Sequence, residues 1–136
     1  MTPGAVLLDR EFRFEDGETK EKFVILLNDG SGGRYLAVKI TSQDRMYTYR
    51  EGCQLDGRFP CFYLRQGRCC LPKDTWVQLD HLYEFDAVEL AQRVVAKRVG
   101  HLGELPYALR MELVKCALES PDIIGTHAAA IARFAV

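Results

Sequence analysis

The 136-residue chain has no excess of either charge: eighteen lysines and arginines stand against nineteen aspartates and glutamates, a formal net charge of -1. A protein that grips a polyanion over its whole surface carries a clear cationic surplus, so any phosphate site here must be a local patch. Long apolar runs are missing too. The opening MTPGAVLLDREF is interrupted by Asp9 and Arg10 and reads as neither a secretory signal nor a membrane span, so a cytoplasmic location is expected. The three histidines, His81, His101 and His127, are scattered and stand beside no serine or cysteine in a nucleophile arrangement, so each is expected to pack or to face solvent. The five cysteines are odd in number and include no C-x-x-C knuckle with a nearby histidine. A zinc site would have to use Cys53, Cys61 and the Cys69-Cys70 pair, and unpaired, metal-free thiols are expected instead, with no cofactor.

What the chain does have is enough apolar sequence for one core, and its length suits a single domain over residues 1-136. Ala5 to Phe14 interleaves apolar positions with Asp9, Arg10, Glu11 and Arg13 and reads as a strand with one wet face. Glu15 to Glu21 is polar, contains Asp16-Gly17, and reads as a loop. Lys22 to Leu27 returns as a nearly continuous apolar run, the pattern of a mostly buried strand. Asn28 to Gly33 supplies residues that tolerate positive φ, and Arg34 to Thr41 reads as the partner strand of a hairpin. That glycine cluster is not a phosphate-binding P-loop, because no Gly-Lys-Ser/Thr and no helix follow it. Cys61 to Arg65 and Thr75 to Leu79 are further strands; Asp86 to Ala91 is read as a helical turn followed by a strand over Arg93 to Val99, although Val88 to Val95 can equally be drawn as a short helix. Leu105, Leu109, Leu113, Cys116 and Ala117 gather on one side of a helix over Glu104 to Glu119, which Ser120-Pro121 ends. Thr126 to Phe134 is a short helix or a frayed tail.

Between the strands lies a long segment, Ser42 to Arg58, that is polar, aromatic and basic. Across it and the following strand, Arg45, Arg50, Arg58, Arg65, Arg68 and Lys73 face only Glu51 and Asp56, and Tyr47, Tyr49, Phe59, Phe62 and Tyr63 are interleaved with them. Cations that track a backbone beside aromatic faces on which unpaired bases stack are what single-stranded RNA binding requires. The competing reading assigns Phe59, Phe62 and Tyr63 to the core and leaves the arginines to solubilise its rim.

Three stretches then occur in an order that resembles the MazF/PemK/Kid toxin family. Pro3-Gly4-Ala5-Val6-Leu7-Leu8, a polar loop and Lys22-Phe23-Val24-Ile25-Leu26-Leu27-Asn28-Asp29 come first. Tyr35-Leu36-Ala37-Val38-Lys39-Ile40-Thr41-Ser42 resembles the family strand that ends in Pro-Ile-Thr-Ser. Cys70 to Asp80 resembles its later strand, and Val99-Gly100-His101-Leu102 before a helix resembles its ending.

The resemblance implies a mainly β fold with α elements, a small SH3-like curved antiparallel β-barrel closed by a C-terminal helix. It also implies a metal-independent endoribonuclease that cleaves single-stranded RNA, acts as a homodimer and is restrained by an antitoxin. The matching catalytic positions are Lys22, Thr41 and Ser42, with Lys22 standing where the family carries an arginine. A lysine neutralises phosphate as a point charge but lacks arginine's planar fork. The alternative from a different class is an SH3-like barrel that binds RNA or a protein partner without cutting. If Lys22 to Leu27 and Arg34 to Thr41 form a hairpin, Lys22 and Thr41 are expected opposite each other at its open end.

Overall fold

The continuous apolar runs of the two central strands are explained by cores on both of their faces. In the computed structural model, which describes residues 1-135, β1 (Ala5–Arg13), β2 (Thr19–Leu26) and β3 (Arg34–Thr41) lie side by side and antiparallel. Alternate residues point to opposite faces. Val6, Ile25, Val38 and Ile40 enter one core, while Ala5, Leu7, Val24, Leu26 and Ala37 enter another.

Five further strands complete a mainly β, eight-stranded antiparallel sheet: β4 (Gly52–Gln54), β5 (Cys61–Leu64), β6 (Thr75–Gln78), β7 (Tyr83–Asp86) and β8 (Val99–Glu104). The order is β4-β5-β6-β3-β2-β1-β8, and the path is open, with β4 and β8 at its ends. One edge of β3 is shared: Arg34 to Ala37 pair with β7, and Ile40 and Thr41 pair with β6. The adjacency of the first three strands is as the sequence predicts. The strand β7 is not anticipated, since Tyr-Glu-Phe-Asp is too short to carry a period.

The connection from β2 to β3 is set by local chemistry. The Asn28 amide donates to the Arg34 carbonyl at 3.1 Å and accepts the Leu36 N–H at 3.0 Å. Gly30 has φ 79°, and a Cβ there would lie 2.6 Å from the Tyr35 ring, so the tight approach of turn and ring needs glycine.

Three helices cover the sheet: α1 (Ala87–Val95), α2 (Tyr107–Glu119) and α3 (Gly125–Ile131). Asp86 caps α1 by accepting the Glu89 N–H at 2.9 Å. The helix then runs through Val95, as the alternative reading of a short helix over Val88 to Val95 has it, and corrects the favoured strand from Arg93. Leu90 and Val94, four residues apart, pack on the second core, and that burial overrides the β preference of Val94-Val95. Lys97, at φ 62°, breaks the helix, and the strand begins only at Val99. Helix α2 starts after the expected Glu104 because Glu104 still pairs with Ala5 and Leu105 donates to the Gly4 carbonyl at 2.9 Å. Pro106, which has no N–H to lose, marks the change. From α2, Leu109, Leu113, Val114, Cys116 and Ala117 fill the first core with Phe62, Val77 and Leu79. Trp76 is wholly buried, as its position in a strand predicts.

The thiol expectation is corrected at one pair. Cys53 on β4 and Cys116 on α2 form a disulfide, with Cα atoms 5.6 Å apart, while Cys61, Cys69 and Cys70 are free. Their sequence separation of 63 residues conceals the pairing until the helix folds back across the sheet edge. No helix among the described residues is long and apolar enough to cross a membrane.

Candidate anion-binding cleft

The last paired residues of β2 and β3 at their open end are Val24 and Lys39, and the same register extended by two residues brings Lys22 level with Thr41. Both line a cleft of about 260 Å³ together with Glu21, Ser42, Gln43, Lys73 and Thr75. Four residues singled out in the sequence, Lys22, Thr41, Ser42 and Lys73, thereby meet from three separate stretches. The strands β2 and β3 carry the first two, and the turn ahead of β6 brings Leu71, Pro72 and Lys73 to the opposite wall.

Lys22 is half-buried, and among the described residues no carboxylate pairs with it. Burial is the main force holding its pKa below the ordinary lysine value, and the positive charges of Lys39 and then Lys20 push the same way. A cation in that condition gains most from an incoming anion. Glu21, the one acid on the wall, lies 3.8 Å from Arg10. The Thr41 hydroxyl accepts the Gln43 N–H at 3.2 Å, which fixes the start of the loop and leaves its own proton to donate. Thr75 on the wall is a residue that sequence reasoning missed. It is buried, and its hydroxyl has no hydrogen-bond partner among the described residues.

A second cleft of about 270 Å³ shares Thr41 and Gln43 with the first and continues along Arg45, Met46, Tyr47 and Gln78. The Gln78 amide donates to the Tyr47 hydroxyl at 3.0 Å, and its carbonyl oxygen has no partner among the described residues. Burial raises the Tyr47 pKa, outweighing the Gln78 hydrogen bond, so the phenol stays protonated. Nothing in the sequence marks Gln78; only the pairing of β6 with β3 brings it beside the loop.

The remaining predicted RNA-binding residues divide by their partners. Arg50 makes a two-pronged pair with Asp56 at 2.6 and 3.2 Å. Arg68 and Arg65 lie 3.0 and 3.9 Å from the same Glu51 oxygen. Arg58 stacks over the Phe59 ring. Arg45 and Lys73 have no carboxylate partner among the described residues. Tyr47 and Tyr63 both stack on the Trp76 indole, with centroids 5.9 and 5.2 Å away. Tyr49 meets Trp76 edge-on at 5.1 Å, hydrogen-bonds Asp44 at 2.7 Å, and keeps 57% of its surface open. Of the loop aromatics, Tyr49 is the one with a large free surface; Phe62 is core, as the competing reading has it.

A larger cleft of about 660 Å³ lies between β1, β7 and α1. Five carboxylates line it against three arginines and His81, and its floor is an ion pair between Asp9 and Arg93 that is nearly removed from water. The His81 ring packs edge-on against Tyr83, whose hydroxyl donates to Glu15 at 2.7 Å. Burial first, and then that hydrogen bond, push the Tyr83 pKa upward. Here Asp9 pairs with Arg93 and Glu11 with Arg98, and the acids outnumber the arginines, so size does not make this cleft the better anion site. The small cleft sets two lysines against one acid that lies beside Arg10, and the adjoining cleft adds Arg45, unpaired by any carboxylate among the described residues. No family model matches this chain, and no curated protein matches it.

Proposed function

We propose that the lysine cleft holds a phosphate of single-stranded RNA and that the protein cleaves the strand there. The observation that carries this reading is the meeting of Lys22, Thr41, Ser42 and Lys73 around one small cleft, with Lys22 half-buried and unpaired by any carboxylate among the described residues. The ribose 2'-hydroxyl attacks the adjacent phosphorus and gives up its proton to water, the new O–P bond forms as the P–O5' bond breaks, and the departing 5' oxygen takes a proton from water, so that a cyclic phosphate and a free 5'-hydroxyl remain. Lys22 and Lys73 offset the charge that develops on the phosphoryl oxygens. The hydroxyls of Thr41 and Ser42 orient the attacking oxygen. Arg45 and Tyr49 hold the neighbouring nucleotides, the first by charge and the second by its open ring. The adjoining cleft at Tyr47 and Gln78 suits a base edge that donates a hydrogen bond to the free amide oxygen.

The likeness of three stretches to the MazF/PemK/Kid toxins supports the same reading. With it go the further proposals that the sheet is an SH3-like barrel of that family, that the protein acts in the cytoplasm as a homodimer, and that an antitoxin covers the cleft. The test is incubation of a mixed RNA with purified protein in the presence of a chelator, followed by end-group analysis. Cyclic phosphate and 5'-hydroxyl ends that depend on Lys22 support the proposal; intact RNA refutes it.

A second reading, a module that binds RNA without cutting it, is favoured by two observations. No histidine lines the cleft, and a lysine occupies the position where the family's arginine would hold two phosphate oxygens. Salt-dependent binding without new RNA ends would establish that reading instead.

A further inference from the structure

Cys53 lies in β4, a strand of three residues at the open end of the sheet that pairs only with β5. It is exposed, whereas its disulfide partner Cys116 is 1% exposed on the inner face of α2. The strand β4 interrupts the Ser42 to Arg58 loop near its end, and besides its ladder to β5 the loop is tied to the body by side chains, with Glu51 beside Arg65 and Arg68 and the Gln78 amide donating to the Tyr47 hydroxyl. The Gln54 side chain accepts the Thr48 hydroxyl at 2.9 Å and donates to the carbonyls of Thr48 and Arg50. The Trp76 indole N–H donates to the Thr48 carbonyl at 2.8 Å. Tyr47 and Tyr49 then lie against Trp76. No residue of the loop belongs to the buried set of the first core, and only Leu55 packs against it. The covalent bond is thus the strongest attachment of the loop to the body.

We propose that the Cys53–Cys116 disulfide is a reducible latch that holds the Ser42 to Arg58 loop over Trp76 and that a dithiol reductant opens it. A thiolate of the reductant attacks the sulfur of Cys53, the exposed residue of the pair, and the S–S bond breaks. Cys116 leaves as a thiolate and takes up a proton. The second thiolate of the reductant then attacks the mixed disulfide, so Cys53 is released, also to become a thiol, and the reductant is left as its own disulfide, two electrons having passed to the protein. Cys61 pairs with Gln54 in the β4–β5 ladder, one position along from the Cys53–Phe62 pair, so its side chain leaves the opposite face of the sheet and its Sγ lies 3.7 Å from the Gln54 side-chain oxygen. Burial pushes the Cys61 thiol up to about 11, so it stays protonated at neutral pH and does not reshuffle the bond. The latch does not rest on the RNA reading. Under that reading, opening it withdraws Arg45, Tyr47 and Tyr49 from beside the lysine cleft.

Trp76 is the one tryptophan of the chain and has no exposed surface, so its fluorescence reports on the loop that covers it. Never-reduced protein, denatured and alkylated, should present the three free thiols Cys61, Cys69 and Cys70. Native protein treated with dithiothreitol should keep its far-UV circular dichroism while the acrylamide quenching constant of Trp76 rises at least about twofold, as local opening requires. Cys53→Ser should show the raised quenching without reductant. Cys61→Ser, which spares the bond, should match unreduced wild type until dithiothreitol is added. Five reactive thiols in never-reduced protein, quenching unchanged by reduction, or loss of the whole fold on reduction would each overturn the proposal.

Discussion

Replacing Lys22 by methionine separates a functional lysine from a structural one, because the two roles change stability and binding in opposite directions. The side chains have similar length, so the half-buried stem is kept and the charge is removed. In the folded protein burial, Lys39 and Lys20 all disfavour the charged form. The folded pKa therefore lies below the unfolded one, and the folded state binds fewer protons between the two values. Wild-type stability consequently rises with pH through that window, and the cost of the buried charge is fully present at neutral pH. Lys22→Met should stabilise the fold at pH 7 by an amount on the order of 0.5 kcal/mol, since half-exposure screens much of the penalty. The advantage over wild type should shrink as pH approaches the ordinary lysine value of about 10. Loss of the phosphate contact should weaken single-stranded RNA binding and cleavage at least about tenfold, roughly 1.4 kcal/mol, and reduce the salt dependence by about one counterion. Denaturant melts at pH 7 and pH 10 read the first effect, and fluorescence anisotropy with a labelled oligonucleotide at several salt concentrations reads the second. A variant that is less stable by about 1 kcal/mol or more and binds RNA as wild type does would show Lys22 to be a packing residue and not a phosphate ligand.

Thr41→Ala should lower cleavage at least about tenfold with binding little changed, while Lys22→Arg should preserve or raise activity because the fork holds two oxygens; single-turnover kinetics distinguishes the two. Arg45→Ala with Lys73→Ala should weaken binding and flatten its salt dependence, whereas Arg50→Ala should do far less, since Asp56 already neutralises Arg50. Asp9→Asn should destabilise the fold by about 3 kcal/mol by stranding the nearly buried Arg93, read as a lower denaturant midpoint. Loss of the Cys53–Cys116 bond should cost about 4 kcal/mol of stability on the chain-entropy argument for the 63-residue separation, read by melting with and without reductant.

The parts of the fold that were legible in the sequence are those where one physical signal dominates. The strand readings of Lys22 to Leu27 and Arg34 to Thr41 follow from burial on both faces, which leaves an apolar run that needs no period, although β2 begins earlier, at Thr19, and ends at Leu26. The inner face of α2 was legible from its spacing. At α1 two signals compete: Val94 and Val95 favour strand, while the Asp86 cap and the packing of Leu90 and Val94 favour helix and prevail. The disulfide was hidden because pairing is a tertiary fact, and β7 because four residues carry no period.

For the site, the hairpin register sufficed to align Lys22 with Thr41. The basic loop was read by counting cations against acids, and there the count misleads. Glu51 alone lies near both Arg65 and Arg68, and Asp56 takes Arg50, so two acids occupy three of the arginines. The aromatic interleaving misleads in a similar way. Tyr47 and Tyr63 are spent covering Trp76, a role that the order of the residues does not reveal. Thr75 and Gln78 carry no motif and gain their place only when β6 pairs with β3.

The claim that a phosphate sits against Lys22 is tested most directly at its ammonium group. Isotope-detected titration of the lysine side chains by NMR, assigned with Lys22→Met, can follow that group in free protein and with a single-stranded oligonucleotide made resistant to cleavage by 2'-deoxy substitution. Lys22 should titrate below its ordinary value in free protein, and the oligonucleotide should raise its pKa. A Lys22 that titrates at the ordinary value, or one that the oligonucleotide does not shift, contradicts the claim.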